Sequence, residues 1–167
     1  MNFDALPARA NLFDASALVK IFSNEYGSDE IKTFFHSSSP TKYTTPFCLY
    51  EALNGLKSKW LNRSELTAKQ YTDNALRLVA WYGACDHHGK DIELTDPSVI
   101  ARVMERVSRA SIDISDAFQI ESLRSGYFSP LARESATLLV TADRRLSQVA
   151  RDEGLKTWYF PSEPFPE

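Results

Sequence analysis

The sequence is poor in the residues that disulfide-stapled and zinc-bound small domains depend on. Its 167 residues include only two cysteines, Cys48 and Cys85, and three histidines, His36, His87 and His88. Two distant cysteines make neither a disulfide framework nor the paired spacing of a zinc site. They read as the free thiols of a reduced, cytosolic (cytoplasmic) protein. No stretch approaches the roughly 20 apolar residues of a membrane-spanning helix. No apolar run follows a basic start at the N-terminus, so no signal peptide and no membrane association are expected. Low-complexity tracts and internal repeats are missing as well.

A basic excess is also lacking: 19 Lys and Arg face 22 Asp and Glu, a net charge of −3. That weighs against a protein whose whole surface grips nucleic acid. It does not weigh against a local site, because a group of carboxylates lowers the net charge by itself. Lys57, Lys59, Arg63, Arg102, Arg106, Arg109, Arg144 and Arg145 can form a basic rim around such a site. They can equally be ordinary solvated helix faces.

What is present is an ordinary globular balance, 43% hydrophobic and 25% charged, in a length that fits one domain with a substantial core. The reading is a single domain over 1–167, with its core at about 10–160 and a loose Pro-rich tail. Residues 10–15 read as a short buried strand ending at Asp14, with Ser16 capping the turn that follows. Ser28-Asp29-Glu30 opens a helix whose apolar face is Ile31, Phe34 and Phe35. Tyr43–Thr45 reads as a strand, and Thr45-Pro46 as the cap and first position of the next helix. A longer helix is expected from Ser64 to Gly83, and a strand at 91–94. Asp96-Pro97 begins a helix with Ile100, Val103, Met104 and Val107 inward. Residues 114–125 read as a helix, 127–136 as a loop, Thr137–Thr141 as a strong strand, the stretch to Gly154 as a helix, and 156–160 as a last strand. Strands alternating with helices predict an α/β fold, a three-layer α/β/α sandwich around a mostly parallel sheet.

In such sheets ligands bind at the carboxyl ends of the strands, and the acids fall there. Asp14 ends the first strand, and Asp143 follows the Thr137–Thr141 strand. Glu51 lies in the first turns of the helix after Tyr43–Thr45, and Asp113 and Asp116 lie at a helix start. Carboxylates gathered this way repel, by about 4 kcal/mol per pair at ~4 Å and an effective dielectric of 20. A divalent cation removes that cost, and Mg²⁺ and Mn²⁺ prefer oxygen ligands. Each acid also has a plainer reading. Asp14 and Asp143 can be turn or cap residues, Glu51 can be solvated, and Asp113 can cap the helix in which Asp116 is the third position.

Together these residues resemble the PIN-domain family. Leu12-Phe13-Asp14-Ala15-Ser16 resembles its first motif, and Thr45-Pro46 leading to Glu51-Ala52-Leu53 its second. Asp113-Ile114-Ser115-Asp116-Ala117 resembles its third, and Leu139-Val140-Thr141-Ala142-Asp143 its fourth. The resemblance implies a Mg²⁺- or Mn²⁺-dependent endoribonuclease acting on single-stranded or structured RNA. Asp14, Glu51, Asp116 and Asp143 match the metal-binding and catalytic positions, with Asp113 a competitor for the third. Ser16 and Thr141 match supporting hydroxyl positions. Similar stand-alone members are VapC-like toxins, commonly homodimers, silenced by a small antitoxin protein. Two other readings stand beside it. One is a PIN-like module that holds RNA or a protein without cutting. The other is a metal phosphatase with Asp14 as nucleophile, against which position 16 is Ser rather than a second Asp.

Overall fold

The computed structural model describes residues 7–167 except 24, 26, 39, 86–91, 165 and 167. Four strands form one sheet: β1 (Ala10–Phe13), β2 (Thr41–Tyr43), β3 (Thr137–Thr141) and β4 (Thr157–Tyr159), in the order β2-β1-β3-β4. All three pairings are parallel. A parallel sheet covered on both faces needs apolar residues on both, and the central strands are almost continuously buried. Phe13, Val140 and Trp158 face α1 (Ala15–Phe22), α2 (Asp29–Ser37), α3 (Pro46–Leu61) and α4 (Ala68–Gly83). Ala10, Leu12, Tyr43 and Leu139 face α5 (Pro97–Ala110), α6 (Ile114–Ser125), the short α7 (Ser129–Arg133) and α8 (Arg144–Asp152). This is the expected three-layer sandwich. One helix contact is unusually close: a Cβ on Gly55 of α3 would lie 2.7 Å from Val19 Cγ2 of α1.

Several local expectations change. The first helix is capped by Asp14, not Ser16, because the Asp14 carboxylate takes the free N–H groups of Ala15 and Ser16. β2 ends at Tyr43, since Thr45 is committed to capping α3 through Cys48 N. α4 starts at Ala68, behind a Thr67–Gln70 capping box, while Ser64 takes a left-handed turn with φ 54°. In the expected strand at 91–94, Asp91 lies outside the described residues and 92–94 form no strand. The chain turns there instead, Asp96 N donating to Glu93 O. The expected loop at 127–136 holds α7. On α5, Val99, Val103 and Arg106 are buried, whereas Ile100 and Met104 are each 45% exposed. His87 and His88 lie outside the described residues. Among the described residues, no helix is long and apolar enough to cross a membrane.

Candidate active site

Parallel pairing of β1 with β3 sets Phe13 opposite Val140, so Asp14 and Thr141 leave the sheet side by side. Asp14 N donates to Val140 O at 3.0 Å, extending the ladder to its last rung. Asp14 is 4% exposed, and a carboxylate that deep must be hydrogen-bonded. Its Oδ1 accepts from Ala15 N (2.7 Å) and Gln119 Nε2 (3.0 Å). Its Oδ2 accepts from Ser16 N (3.3 Å), Ser16 Oγ (2.5 Å) and Thr141 Oγ1 (2.9 Å). Thr141 Oγ1 in turn accepts from Asp143 N (2.8 Å), and Ser16 Oγ from Ala142 N (2.8 Å). The two strand ends are thus laced together by two hydroxyls. Asp143 is exposed and caps α8 by accepting from Leu146 N at 2.8 Å.

α6 supplies the other wall. Ser115 donates to Glu51 Oε1 at 2.7 Å, Asp116 is half-buried, and Gln119, one turn further, is fully buried against Asp14. Asp113 holds the N-cap position of α6, yet its side chain makes no cap bond. The plain capping reading therefore fits Asp14 and Asp143 better than Asp113. The Asp116 side chain has no hydrogen bond to any described residue.

Electrostatics shows that these acids share one region. Burial, and then the charges of Asp14, Asp143, Glu51 and Asp113, push the Asp116 carboxyl up to about 7. Glu51 is raised too, first by desolvation and then by Asp14 and Asp113, with the Ser115 bond opposing the rise. Among the described residues, no Lys or Arg forms an ion pair with any of the five. Repulsion without an internal counter-charge is what a hard cation relieves.

The donor set of carboxylates and hydroxyls fits Mg²⁺ or Mn²⁺ and offers nothing to a soft metal. The neighbouring Cys48 thiol is buried and pushed well above its ordinary range, chiefly by desolvation. Among the described residues, no three His, Cys, Asp or Glu side chains form a ready-made metal group. An ion here would rest on some of these carboxylates and complete its shell with water, the usual habit of Mg²⁺.

Most of the expected basic rim is engaged elsewhere. Lys59 pairs with Glu25 and Glu65. Arg106 bridges Glu121 and Glu153, joined by Arg102 and Arg109. Cavities of about 360 and 390 Å³ flank Glu153, and none of the five acids lines either of them. Arg144 is different. It follows Asp143 directly, and its guanidinium lies 5.7 Å from the centre of the Tyr159 ring.

A family model described as PIN domain matches residues 12–152. This chain belongs to the PIN-domain family. PIN domains are typically nucleases that use divalent metals. The fold is similar to that of the crystal structure of PAE2754 from Pyrobaculum aerophilum, with a TM-score of 0.51 and 21% identity. That match covers 90% of this chain and 92% of the other. No curated protein matches.

Two site residues of this PIN domain escape a reading of strand ends, Ser115 and Gln119. The available signal was helical spacing. Ser115 neighbours Asp116, and Gln119 lies three residues on, a polar residue between the apolar Phe118 and Ile120.

Proposed function

We propose that this PIN domain is a Mg²⁺- or Mn²⁺-dependent endoribonuclease that cleaves single-stranded RNA, acting as the toxin of a toxin–antitoxin pair in the cytoplasm. The observation that carries the nuclease reading is Asp116, half-buried and facing four further carboxylates with no described cation paired to them. Asp14, Asp116 and Asp143 would hold the ion, with Glu51 and Asp113 completing the acidic wall. When bound, the ion supplies Lewis-acid polarisation of the phosphodiester and activation of water. The chain does the rest. Thr141 and Ser16 hold Asp14 in one orientation, and Ser115 holds Glu51. Asp116, its carboxyl raised to about 7 by burial and by the neighbouring carboxylates, would hold the ion in its ionised form, with its proton released to solvent. The same reading brings RNA as substrate, a small antitoxin as inhibitor and a second copy of the chain as dimer partner.

The test is cleavage of an end-labelled single-stranded RNA in Mn²⁺. Asp116→Asn and Asp143→Asn are the informative variants. The Asp116 side chain has no described hydrogen bond to lose, and Asp143→Asn keeps an acceptor for Leu146 N. Asp14→Asn is less clean, since every partner of that carboxylate is a donor and an amide NH₂ would face N–H and O–H groups. Cleavage by wild type and none by either variant is expected; undiminished cleavage by both removes the proposal. A non-cleaving RNA- or protein-binding module is the second reading, favoured by the absence of a ready-made metal group among the described residues. It predicts RNA binding that Mn²⁺ does not alter.

A further inference from the structure

Gln119 is an expensive choice for its position. It is 0% exposed and lies between Phe118 and Ile120, themselves 3% and 0% exposed. A buried amide needs partners on both sides, and this one has a partner on only one. Its Nε2 donates to Asp14 Oδ1 at 3.0 Å, while its Oε1 is buried with no hydrogen-bond partner. The orientation is fixed by chemistry, because Asp14 can only accept and the reversed amide would set oxygen against oxygen. The orphan is therefore an oxygen acceptor, held on the same carbon as the group that grips Asp14. An apolar residue would fill the space without leaving an unsatisfied atom. The amide makes sense if the missing partner is a donor that arrives with the ion.

We infer that Gln119 is a positioning residue for the metal site: its N–H fixes Asp14, and its Oε1 accepts a hydrogen bond from a water in the ion's hydration shell. This rests on the divalent-metal reading above. Partners of this kind, one step removed from a metal, commonly change affinity 10–100-fold when removed.

The test is Mn²⁺ titration by calorimetry and electron paramagnetic resonance, with thermal melting of metal-free and loaded protein. Gln119→Met keeps the approximate shape and removes both polar atoms. It is expected to weaken Mn²⁺ binding about 10–100-fold. The metal-free melting temperature should hold or rise, since an unsatisfied buried oxygen is gone. Gln119→Glu keeps the side-chain oxygen and replaces the donor nitrogen with a second oxygen facing Asp14. It is expected to melt lower without metal and to gain more from Mn²⁺ than wild type does. A Gln119→Met protein with wild-type Mn²⁺ affinity, whatever its melting temperature, overturns the inference and leaves Gln119 a packing residue. Wild type that binds Mn²⁺ but cuts no RNA sinks the nuclease reading while leaving this test intact.

Discussion

Thr141 Oγ1 donates to Asp14 Oδ2 at 2.9 Å and accepts from Asp143 N at 2.8 Å, so one hydroxyl joins two acids from different strands. Thr141→Val keeps the shape and removes both bonds. Leaving a buried acceptor and an N–H without this partner should cost about 1–3 kcal/mol of stability. Metal affinity and cleavage are expected to fall about 10–100-fold. Thr141→Ser restores the hydroxyl and should recover most of the loss. Urea unfolding alongside a cleavage assay checks both parts; equal cleavage by all three proteins would show that the hydroxyl does not orient the site.

Asp116 carries a pH signature. Its carboxyl rises from an ordinary 3.8 to about 7, first through burial and then through Asp14, Asp143, Glu51 and Asp113. Between those values the folded protein keeps a proton that the unfolded chain has released. The contribution of this group to stability is thus full below its unfolded pKa and is lost as the pH rises through its folded one. Metal-free protein should melt progressively lower over that interval, and Asp116→Asn should lack this part of the slope. Mn²⁺ competes with the same proton, so its affinity should climb up to about pH 7 and then level, with proton release on binding. Affinity that is flat across this range contradicts the assignment.

Arg144 has no described carboxylate partner, and its guanidinium rests over the Tyr159 ring. An arginine held this way beside Asp143 suits a backbone phosphate of the strand entering the site. Arg144→Ala should weaken binding of single-stranded RNA to the Asp116→Asn protein and reduce the salt slope of log K by about 0.7, the share of one phosphate contact. Fluorescence anisotropy at several salt concentrations measures it. An unchanged slope would place Arg144 outside the RNA path.

The Glu121–Arg106 pair makes a stability prediction away from the site. Glu121 is 1% exposed and Arg106 8%. Burial works to raise the Glu121 carboxyl, but the bonds from Arg102, Arg106 and Ser125 outweigh it and hold the group below its ordinary value. Glu121→Ala leaves Arg106 with only Glu153 and a cavity beside it. A loss of about 3–5 kcal/mol in urea unfolding is expected, with Mn²⁺ affinity of the folded protein unchanged. Glu121→Ala protein as stable as wild type would show that the pair contributes nothing net.

The three-layer fold was legible because its signals are local. The short, largely apolar runs at Ala10–Phe13 and Thr137–Thr141 read as buried strands, and Thr45-Pro46 and Asp96-Pro97 announce helix starts in two residues. The same locality explains the errors. Residues 92–94 alternate like a strand but turn instead, and Ile100 and Met104 follow the helical period although the sandwich buries Val99, Val103 and Arg106.

The acids stood out because a parallel sheet offers one edge where strands hand over to helices. Their internal ranking did not. Whether Asp113 caps a helix depends on its rotamer, and it makes no cap bond, whereas Asp14 and Asp143 both do. Gln119 and Ser115 depend on how α6 is rotated against β1 and α3, a tertiary fact with only a faint trace in residue spacing. The basic rim was unreadable for a similar reason: composition cannot say which guanidinium meets a carboxylate from another helix.

Isothermal titration of Mn²⁺ into metal-free protein asks directly whether these acids share a divalent ion. Saturable binding by wild type is expected, with loss of that binding in Asp116→Asn while the fold is retained, and proton release on binding near neutral pH. Wild type that shows no saturable uptake of Mn²⁺ or Mg²⁺, or an Asp116→Asn protein that binds as wild type does, would contradict a shared ion.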